Sequence, residues 1–259
     1  MSVESVSAAV AAGLAGGFIV GPRVADAVQR WIGWRVVLPL LFGFVAPRSA
    51  LGPARRAEGE AFRSRTRAIQ IATGTVFALI GLRFGWTVPL VPVLALATGL
   101  VATSAVDLVC WRIPTRFVYL TGLVVVAGLV LASVVVDEPS ALVGAVIGAG
   151  LYLLLLGGMH LASPRMLGFG DVRLGTLTGL VVGWMGWRPD RTIDGPLSAV
   201  TLAILVASLA GTLAGVVVLV LRRRAQGLTD KPWREPYPFG PWLCVGGLVA
   251  ILAAAPGPG

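Results

Sequence analysis

Long apolar runs, separated by short polar stretches, extend along the chain from residue 5 to residue 256. A helix needs roughly 20 apolar residues to cross about 30 Å of hydrocarbon. The pattern predicts about eight such helices, at residues 5–22, 68–83, 86–106, 117–136, 141–162, 172–187, 196–221 and 240–256. No comparable length is left for a soluble domain. We therefore predict an all-α, polytopic membrane protein in which residues 1–259 form a single membrane domain.

One further apolar stretch, residues 34–46, is short and contains Pro39. Because proline removes a hydrogen bond from a helix interior, we interpret this stretch as a surface-lying or buried re-entrant piece and not as a ninth span. The first apolar run lacks a basic leader and a clear small-residue cleavage site, so we expect no cleavable signal peptide.

The charges are few and unevenly distributed. Only 13% of the residues are charged, against about 25% in soluble domains, and the mean hydropathy is +0.87. The net charge is +9. With eight spans and the N-terminus outside, all of the 21 basic residues except Arg83, Arg188 and Arg191 fall on the cytoplasmic side. The excess therefore predicts an orientation in the cell membrane, with Arg222 to Arg224 against anionic lipid, and gives no reason to expect nucleic-acid binding.

Two aspartates lie where apolar segments end on the cytoplasmic side. Asp107 closes the run "LALATGLVATSAVD", and Asp171 follows two glycines in "GFGD". Taken singly, each has an ordinary interpretation, because Asp171 can cap the helix that follows and Asp107 can pair with Arg112 near the interface. An ionisable residue at the edge of the hydrocarbon persists mainly where it faces a polar cavity, pairs with another group or takes part in chemistry.

A pair of aspartates at one membrane face offers a reaction that neither offers alone. Two close carboxylates do not both ionise easily, so the pair shares a proton. One can act as general base on water while the protonated partner polarises a carbonyl group. Gly168 and Gly170 would allow unusual turn angles before Asp171, or a close approach of the backbone to a neighbouring helix or peptide. This combination predicts peptide hydrolysis without a cofactor.

Other residues with chemical potential give weaker signals. Cys110 and Cys244 lie at or inside apolar segments and form neither a disulfide framework nor a metal-ligand spacing. His160 is the only histidine, and we interpret it as a structural residue near a helix end. With no cysteine cluster and no second imidazole, we expect no metal site.

Three separated stretches resemble the type IV prepilin peptidases, which are polytopic aspartic proteases of the GxGD type. They are "AVDLVCWRIPTRFVYL" at 105–120, "GFGDVRLGTLTGLVVGW" at 168–184 and "YPFGPWLCVGGLVAI" at 237–251. The resemblance implies that Asp107 and Asp171 are the catalytic pair and that the substrate is a prepilin or pseudopilin, cut at the cytoplasmic face after a glycine that ends a short basic leader. The residues that would contact the substrate are Gly168, Gly170, Arg173, Pro114, Phe239 and Gly240, with Arg173 where the family usually has lysine.

The N-terminal part departs from that family in one respect. Residues 23–67 resemble its cytoplasmic segment, in which bifunctional members carry two cysteine pairs associated with methylating the new N-terminus, but this segment has no cysteine. Without thiolates a four-cysteine zinc site cannot form. Gln70 also replaces a glutamate common in the family. We therefore expect a peptidase with a degenerate methylation region.

Two alternatives stay open. The first is an intramembrane protease of the presenilin or signal-peptide-peptidase kind, although Val106 stands where those enzymes have tyrosine before the first aspartate, and "YPFGP" stands where they have a Pro-Ala-Leu element. The second is a non-catalytic scaffold or transporter in which the aspartates cap helices or bind a cation.

Overall fold

The computed structural model of the chain describes residues 2–30, 51–110, 113–164, 167–187, 193–226 and 239–254. Within these ranges the chain forms helices and no strands, which confirms the all-α prediction. We number the helices α1 (Val3–Arg30), α2 (Leu51–Phe84), α3 (Leu90–Cys110), α4 (Thr115–Val135), α5 (Ala141–Ala162), α6 (Phe169–Gly186), α7 (Asp194–Gln226) and α8 (Gly240–Ala253). Helix α1 contains a π-helical stretch, Ala15–Val20.

Six of these helices are long and apolar enough to cross a membrane: α1 to α5, and α7 over Asp194–Val218. In α2 the qualifying part is Thr66–Phe84, close to the predicted span 68–83. The two remaining helices, α6 and α8, occupy the places of the predicted spans 172–187 and 240–256 but are short, with 18 and 14 residues. The stretch 34–46 lies outside the described residues, so its interpretation stays a prediction.

The chain divides into two compact units, Met1–Trp86 and Thr87–Gly259. In the first unit, α1 and α2 pack through small residues. A side chain at Gly81 would lie 2.7 Å from the carbonyl oxygen of Ala8, and one at Gly16 would meet the ring of Phe77 at 2.7 Å. Such contacts let the two backbones approach closely, as is common between membrane helices. The single domain, with residues 23–67 as its cytoplasmic segment, stays a prediction.

In the second unit, α6 is the buried centre. Its glycines face those of α5: a side chain at Gly148 would lie 2.7 Å from the Cα atom of Gly183. Its Trp184 is fully buried and donates a hydrogen bond from Nε1 to Ser133 Oγ of α4, at 2.8 Å. Because α6 is enclosed by protein, it does not need the continuous apolar surface that lipid demands. This packing brings the first turn of α6 and the first turn of α8 to the same end as the last turn of α3.

Candidate active site

Asp107 lies in the last turn of α3 and joins that helix to α8. Its side chain is only 5% exposed, and Oδ2 accepts a hydrogen bond from the backbone N–H of Gly240 at 3.1 Å. The first N–H groups of a helix have no partner within the helix, so the carboxylate satisfies one of them at the positive end of α8. A side chain at Gly240 would lie 2.8 Å from Asp107 Oδ2. The contact therefore depends on glycine at this position.

Asp171 is the third residue of α6 and binds the start of its own helix. Its Oδ2 accepts a hydrogen bond from the Gly168 N–H at 3.1 Å, and its own N–H donates to the Gly168 carbonyl oxygen at 3.0 Å. The capping that the sequence suggested is present, but Gly168 is the N-cap residue and Asp171 caps from three positions later. One oxygen of each aspartate is thus engaged by a backbone donor.

The structure brings the two aspartates together at one end of the second unit, where their side chains interact electrostatically. Ile113 lies between the elements that carry them. A side chain at Gly170 would meet Ile113 Cβ at 2.8 Å, and one at Gly240 would lie 3.3 Å from Ile113 Cδ1. The three stretches that carry the family resemblance therefore meet around this isoleucine, which the sequence did not indicate.

Gly168 and Gly170, the two glycines before Asp171, do not have the unusual backbone angles that the sequence led us to expect. Gly168 has φ −70° and ψ 147°, an extended conformation open to any residue, and Gly170 lies inside α6. Among the glycines in the described ranges, only Gly85 has a positive φ. The expectation of unusual turn angles is therefore wrong, since Asp171 can reach the N-cap from an ordinary helical start. Gly170 lies close to the side chain of Ile113, in the connection before α4, whereas a close approach to a neighbouring helix or to a peptide stays a prediction.

Arg173 lies beside the aspartates in sequence but contacts other groups. Its Nη1 donates to Thr115 Oγ1 at 3.2 Å, and its guanidinium lies 4.5 Å from the ring centre of Phe169 and 5.5 Å from that of Tyr119. Both aromatic side chains are substantially exposed. Arg173 therefore links the first turn of α6 to the first turn of α4 through a hydrogen bond and cation–π contacts.

Pro114 and Phe239 are the N-cap residues of α4 and α8. The Pro114 carbonyl oxygen accepts hydrogen bonds from the backbone N–H groups of Phe117 and Val118. The ring of Phe239 packs against α7, where a side chain at Gly211 would lie 3.2 Å from it. Both residues fix helix starts next to the aspartates. Direct contact of Pro114, Phe239, Gly240, Gly168, Gly170 or Arg173 with a substrate stays a prediction.

His160 has the structural role that the sequence suggested. Its Nδ1 lies 2.7 Å from the carbonyl oxygen of Leu167, and its ring centre lies 5.4 Å from that of Phe169. Because a carbonyl oxygen only accepts, the proton is on Nδ1. The bond ties the end of α5 to the turn that leads into Gly168.

A set of polar side chains that the sequence did not single out lies one helical turn from the aspartates. Cys244 follows Gly240 by one turn of α8 and is buried; its thiol donates to the Leu100 carbonyl oxygen at 3.5 Å. Thr103 of α3 is also buried, and its hydroxyl donates to the carbonyl oxygens of Gly99 and Leu100 at 2.7 and 3.2 Å. The Leu100 carbonyl oxygen is therefore within hydrogen-bonding distance of both Thr103 and Cys244. The spacing of four residues from Thr103 to Asp107 and from Gly240 to Cys244 was the available signal.

The arrangement suits acid–base chemistry. Two carboxyl groups from separate helices lie near enough to influence each other, and each keeps an oxygen that is not engaged by the backbone donors described above. Among the described residues, no group of three or more His, Cys, Asp or Glu side chains has the arrangement of a metal site.

Comparison with known proteins finds relatives that share one description. A prepilin leader peptidase/N-methyltransferase of Pseudomonas aeruginosa is 30% identical over 189 residues, which cover 71% of this chain and 57% of that protein. Proteins of the same description match from Myxococcus xanthus, at 29% identity over 79% of this chain and 56% of that protein, and from Bacillus subtilis, at 23% identity over 71% and 64%.

The chain spans somewhat more than half of the length of these relatives. No family model matches it, and no solved structure matches it. The relatives nevertheless agree in description, and they cover most of this chain. The chain belongs to the prepilin peptidase family.

Proposed function

We propose that this protein is a membrane aspartic endopeptidase that removes the basic leader from type IV prepilins or pseudopilin-like proteins. The observation that carries the proposal is the meeting of Asp107 and Asp171, from two separate helices, at one end of a helical bundle. The description of the relatives as prepilin leader peptidases supports the substrate class. The excess of basic residues on one side supports a site at the cytoplasmic face of the cell membrane.

The two carboxyl groups can complete the reaction without a bound group. The ionised aspartate takes a proton from water as the water oxygen attacks the scissile carbonyl carbon, and the protonated aspartate gives its proton to the carbonyl oxygen. The C–N bond then breaks, the amine takes the proton held by the first aspartate, and a hydroxyl of the intermediate returns a proton to the second. The pair ends with one proton, as it began.

We further propose that the protein does not methylate the new N-terminus. The relatives carry N-methyltransferase in their description. In this chain residues 23–67 contain no cysteine, so the thiolate ligands of a four-cysteine site are absent. The missing cysteines do not affect Asp107 or Asp171, which lie in the second unit.

The test uses substitutions that separate catalysis from capping. In Asp107→Asn and Asp171→Asn the amide oxygen can still accept the backbone hydrogen bond, but the side chain no longer exchanges a proton. We expect each variant to cleave a prepilin about 10³-fold more slowly than the wild type while keeping its thermal stability. The measurement is the initial rate of leader removal in detergent or in vesicles, with mass spectrometry of the product, which should carry no added methyl group.

A matched control is Asp137→Asn, in the turn between α4 and α5. Asp137 is exposed and has φ 54°, a conformation that asparagine also adopts readily, so the control should fold and cleave normally. Undiminished cleavage by either Asp107→Asn or Asp171→Asn would refute the aspartic mechanism and leave capping as the role of that residue. A methylated product would refute the second proposal alone.

A further inference from the structure

Ile113 lies in the connection between α3 and α4, and its side chain is half-buried. It contacts glycines in the first turns of two other helices. A side chain at Gly170 of α6 would meet Ile113 Cβ at 2.8 Å and both of its γ carbons at 3.5 Å. A side chain at Gly240 of α8 would meet Ile113 Cδ1 at 3.3 Å. The isoleucine therefore occupies space that both helix starts leave free by having glycine.

The contacts of Ile113 divide by atom between the two helices. Cβ and the γ carbons face Gly170, the residue before Asp171. Cδ1 faces Gly240, whose N–H binds Asp107 Oδ2 at 3.1 Å. A methyl group at Gly240 would touch both Asp107 Oδ2, at 2.8 Å, and Ile113 Cδ1, at 3.3 Å. A single methyl group would thus span the space between the end of the isoleucine side chain and the carboxylate.

The backbone and side chain of Ile113 have little freedom in this place. The residue before a proline is restricted to extended backbone angles, and Pro114 follows. The branched Cβ of isoleucine also restricts its first side-chain torsion. Two residues further on, Thr115 Oγ1 accepts the hydrogen bond from Arg173 Nη1 at 3.2 Å, so the segment 113–115 is bound to the first turn of α6 at two points. A stiff apolar side chain at this position fixes the spacing of the elements that it contacts.

We propose that Ile113 is a positioning residue of the active site. It is the spacer that fixes the first turn of α8, with the Gly240 N–H that binds Asp107, relative to the first turn of α6, with Asp171. The inference rests on the proposed function, because it assigns Ile113 a part in the geometry of that pair. Ile113 exchanges no proton, so it acts on cleavage only through the position of the two carboxyl groups.

The test is Ile113→Val, which removes only Cδ1, the atom that faces Gly240, and keeps the carbons that face Gly170. A misplacement of 1 Å can lower a rate about 100-fold, so for a smaller displacement we expect kcat to fall about tenfold. KM should change by less than about twofold, because no contact with the substrate is removed.

The matched control is Ile251→Val, which deletes the same methyl group from a fully buried isoleucine of α8, three helical turns beyond Gly240. Its melting temperature should fall at least as far as that of Ile113→Val, while its kcat stays at the wild-type value. An unchanged kcat in Ile113→Val, or an equal loss of kcat in both variants, would overturn the inference. A raised KM with unchanged kcat would also overturn it and would make Ile113 a substrate contact.

A double variant tests the contact between Ile113 and the start of α8. In Gly240→Ala the new methyl group lies against both Asp107 Oδ2 and Ile113 Cδ1. Removing Cδ1 gives that methyl group room, so we expect Gly240→Ala combined with Ile113→Val to cleave at least as fast as Gly240→Ala alone. Independent effects would multiply and leave the double variant about tenfold slower than Gly240→Ala. That result would overturn the inference.

A measurement that needs no substrate separates this inference from the proposed function. The Gly240 N–H is buried and bound to Asp107, so its exchange with deuterium reports how firmly the start of α8 is held on the carboxylate. NMR of protein with isotope-labelled glycine follows this proton, and Gly240→Ala identifies its signal. We expect faster exchange in Ile113→Val and the wild-type rate in Ile251→Val.

The two sets of results then fail separately. If the wild type cleaves and Asp171→Asn does not, while Ile113→Val keeps the wild-type kcat and exchange rate, only the role of Ile113 fails. If the wild type cleaves no prepilin, the proposed function fails, and the exchange rate still decides whether Ile113 positions the start of α8 on Asp107.

Discussion

The last turn of α3 and the first turn of α6 each carry an aspartate, yet one carboxylate makes a tertiary hydrogen bond and the other makes a local one. Asp107 accepts a hydrogen bond from Gly240, 133 residues away, in buried surroundings. Asp171, which is half-buried, accepts one from the exposed Gly168, three residues away. The two distances are the same, 3.1 Å. One bond joins two helices, and the other completes a single helix.

The difference shows how one residue type can be fixed by tertiary or by local structure. A buried N–H group that loses its acceptor finds no water to replace it, whereas an exposed one does. The position of Asp107 therefore depends on the packing of α8, while that of Asp171 depends mainly on the first turn of α6. The three predictions below test this contrast, from the largest expected effect to the smallest.

The largest effect should come from adding a methyl group at Gly240. In Gly240→Ala the new Cβ atom would lie 2.8 Å from Asp107 Oδ2, so the carboxylate or α8 must move. Displacement of a catalytic group by a fraction of an ångström to 1 Å can lower the rate about 100-fold, and we expect a loss of that order in kcat. Gly168→Ala, where the nearest atom is the flexible Asp171 Oδ2 at 3.2 Å, should lose far less.

Cleavage rates measured side by side decide between these expectations. Equal losses at the two positions would show that Gly240 does not constrain Asp107 more tightly than Gly168 constrains Asp171.

An intermediate effect should appear in the free energy of unfolding when each aspartate is replaced by alanine. Asp107→Ala leaves the buried Gly240 N–H without an acceptor and should lower the free energy of unfolding by about 2 kcal/mol. Asp171→Ala removes an exposed cap and should lower it by about 1 kcal/mol. Reversible unfolding in mixed detergent measures both. A greater loss for Asp171→Ala would contradict the assignment of Asp107 to the tertiary contact.

The smallest effect should come from Arg173. In Arg173→Met the hydrogen bond to Thr115 and the cation–π contacts with Phe169 and Tyr119 are lost, and the first turns of α4 and α6 are held less firmly. We expect a loss of about threefold in kcat/KM, because a solvent-accessible contact of this kind contributes less than about 1 kcal/mol. Arg173→Lys should fall between this variant and the wild type.

The pH dependence of cleavage tests whether the charge of Arg173 acts on the two aspartates. Its guanidinium contacts Thr115 and two aromatic rings, so Arg173→Met should leave the pH dependence of cleavage unchanged. A displaced profile would show that its charge acts on the aspartates.

Much of the helical architecture was predictable because lipid imposes a length and a composition on each span. The predicted spans 117–136 and 141–162 correspond closely to α4 and α5. The predicted span 172–187 also lies close to α6, although α6 is enclosed by protein and is not among the helices that are long and apolar enough to cross a membrane. Its glycines Gly179 and Gly183 are positions at which α5 and α6 approach each other.

The sequence by itself determined that the chain is helical and membrane-spanning, and it marked Asp107 and Asp171, because a charge at the end of an apolar run is costly and needs a reason. Only the tertiary structure decided what surrounds them. Ile113 and Cys244 look ordinary in the sequence, since isoleucine and cysteine are common in and beside apolar segments. Their places beside the first turns of α6 and α8 arise from the packing of α3, α6 and α8. Contacts such as that of Ile113 with Gly170 and that of Cys244 with Leu100, 57 and 144 positions apart, leave no trace in local periodicity.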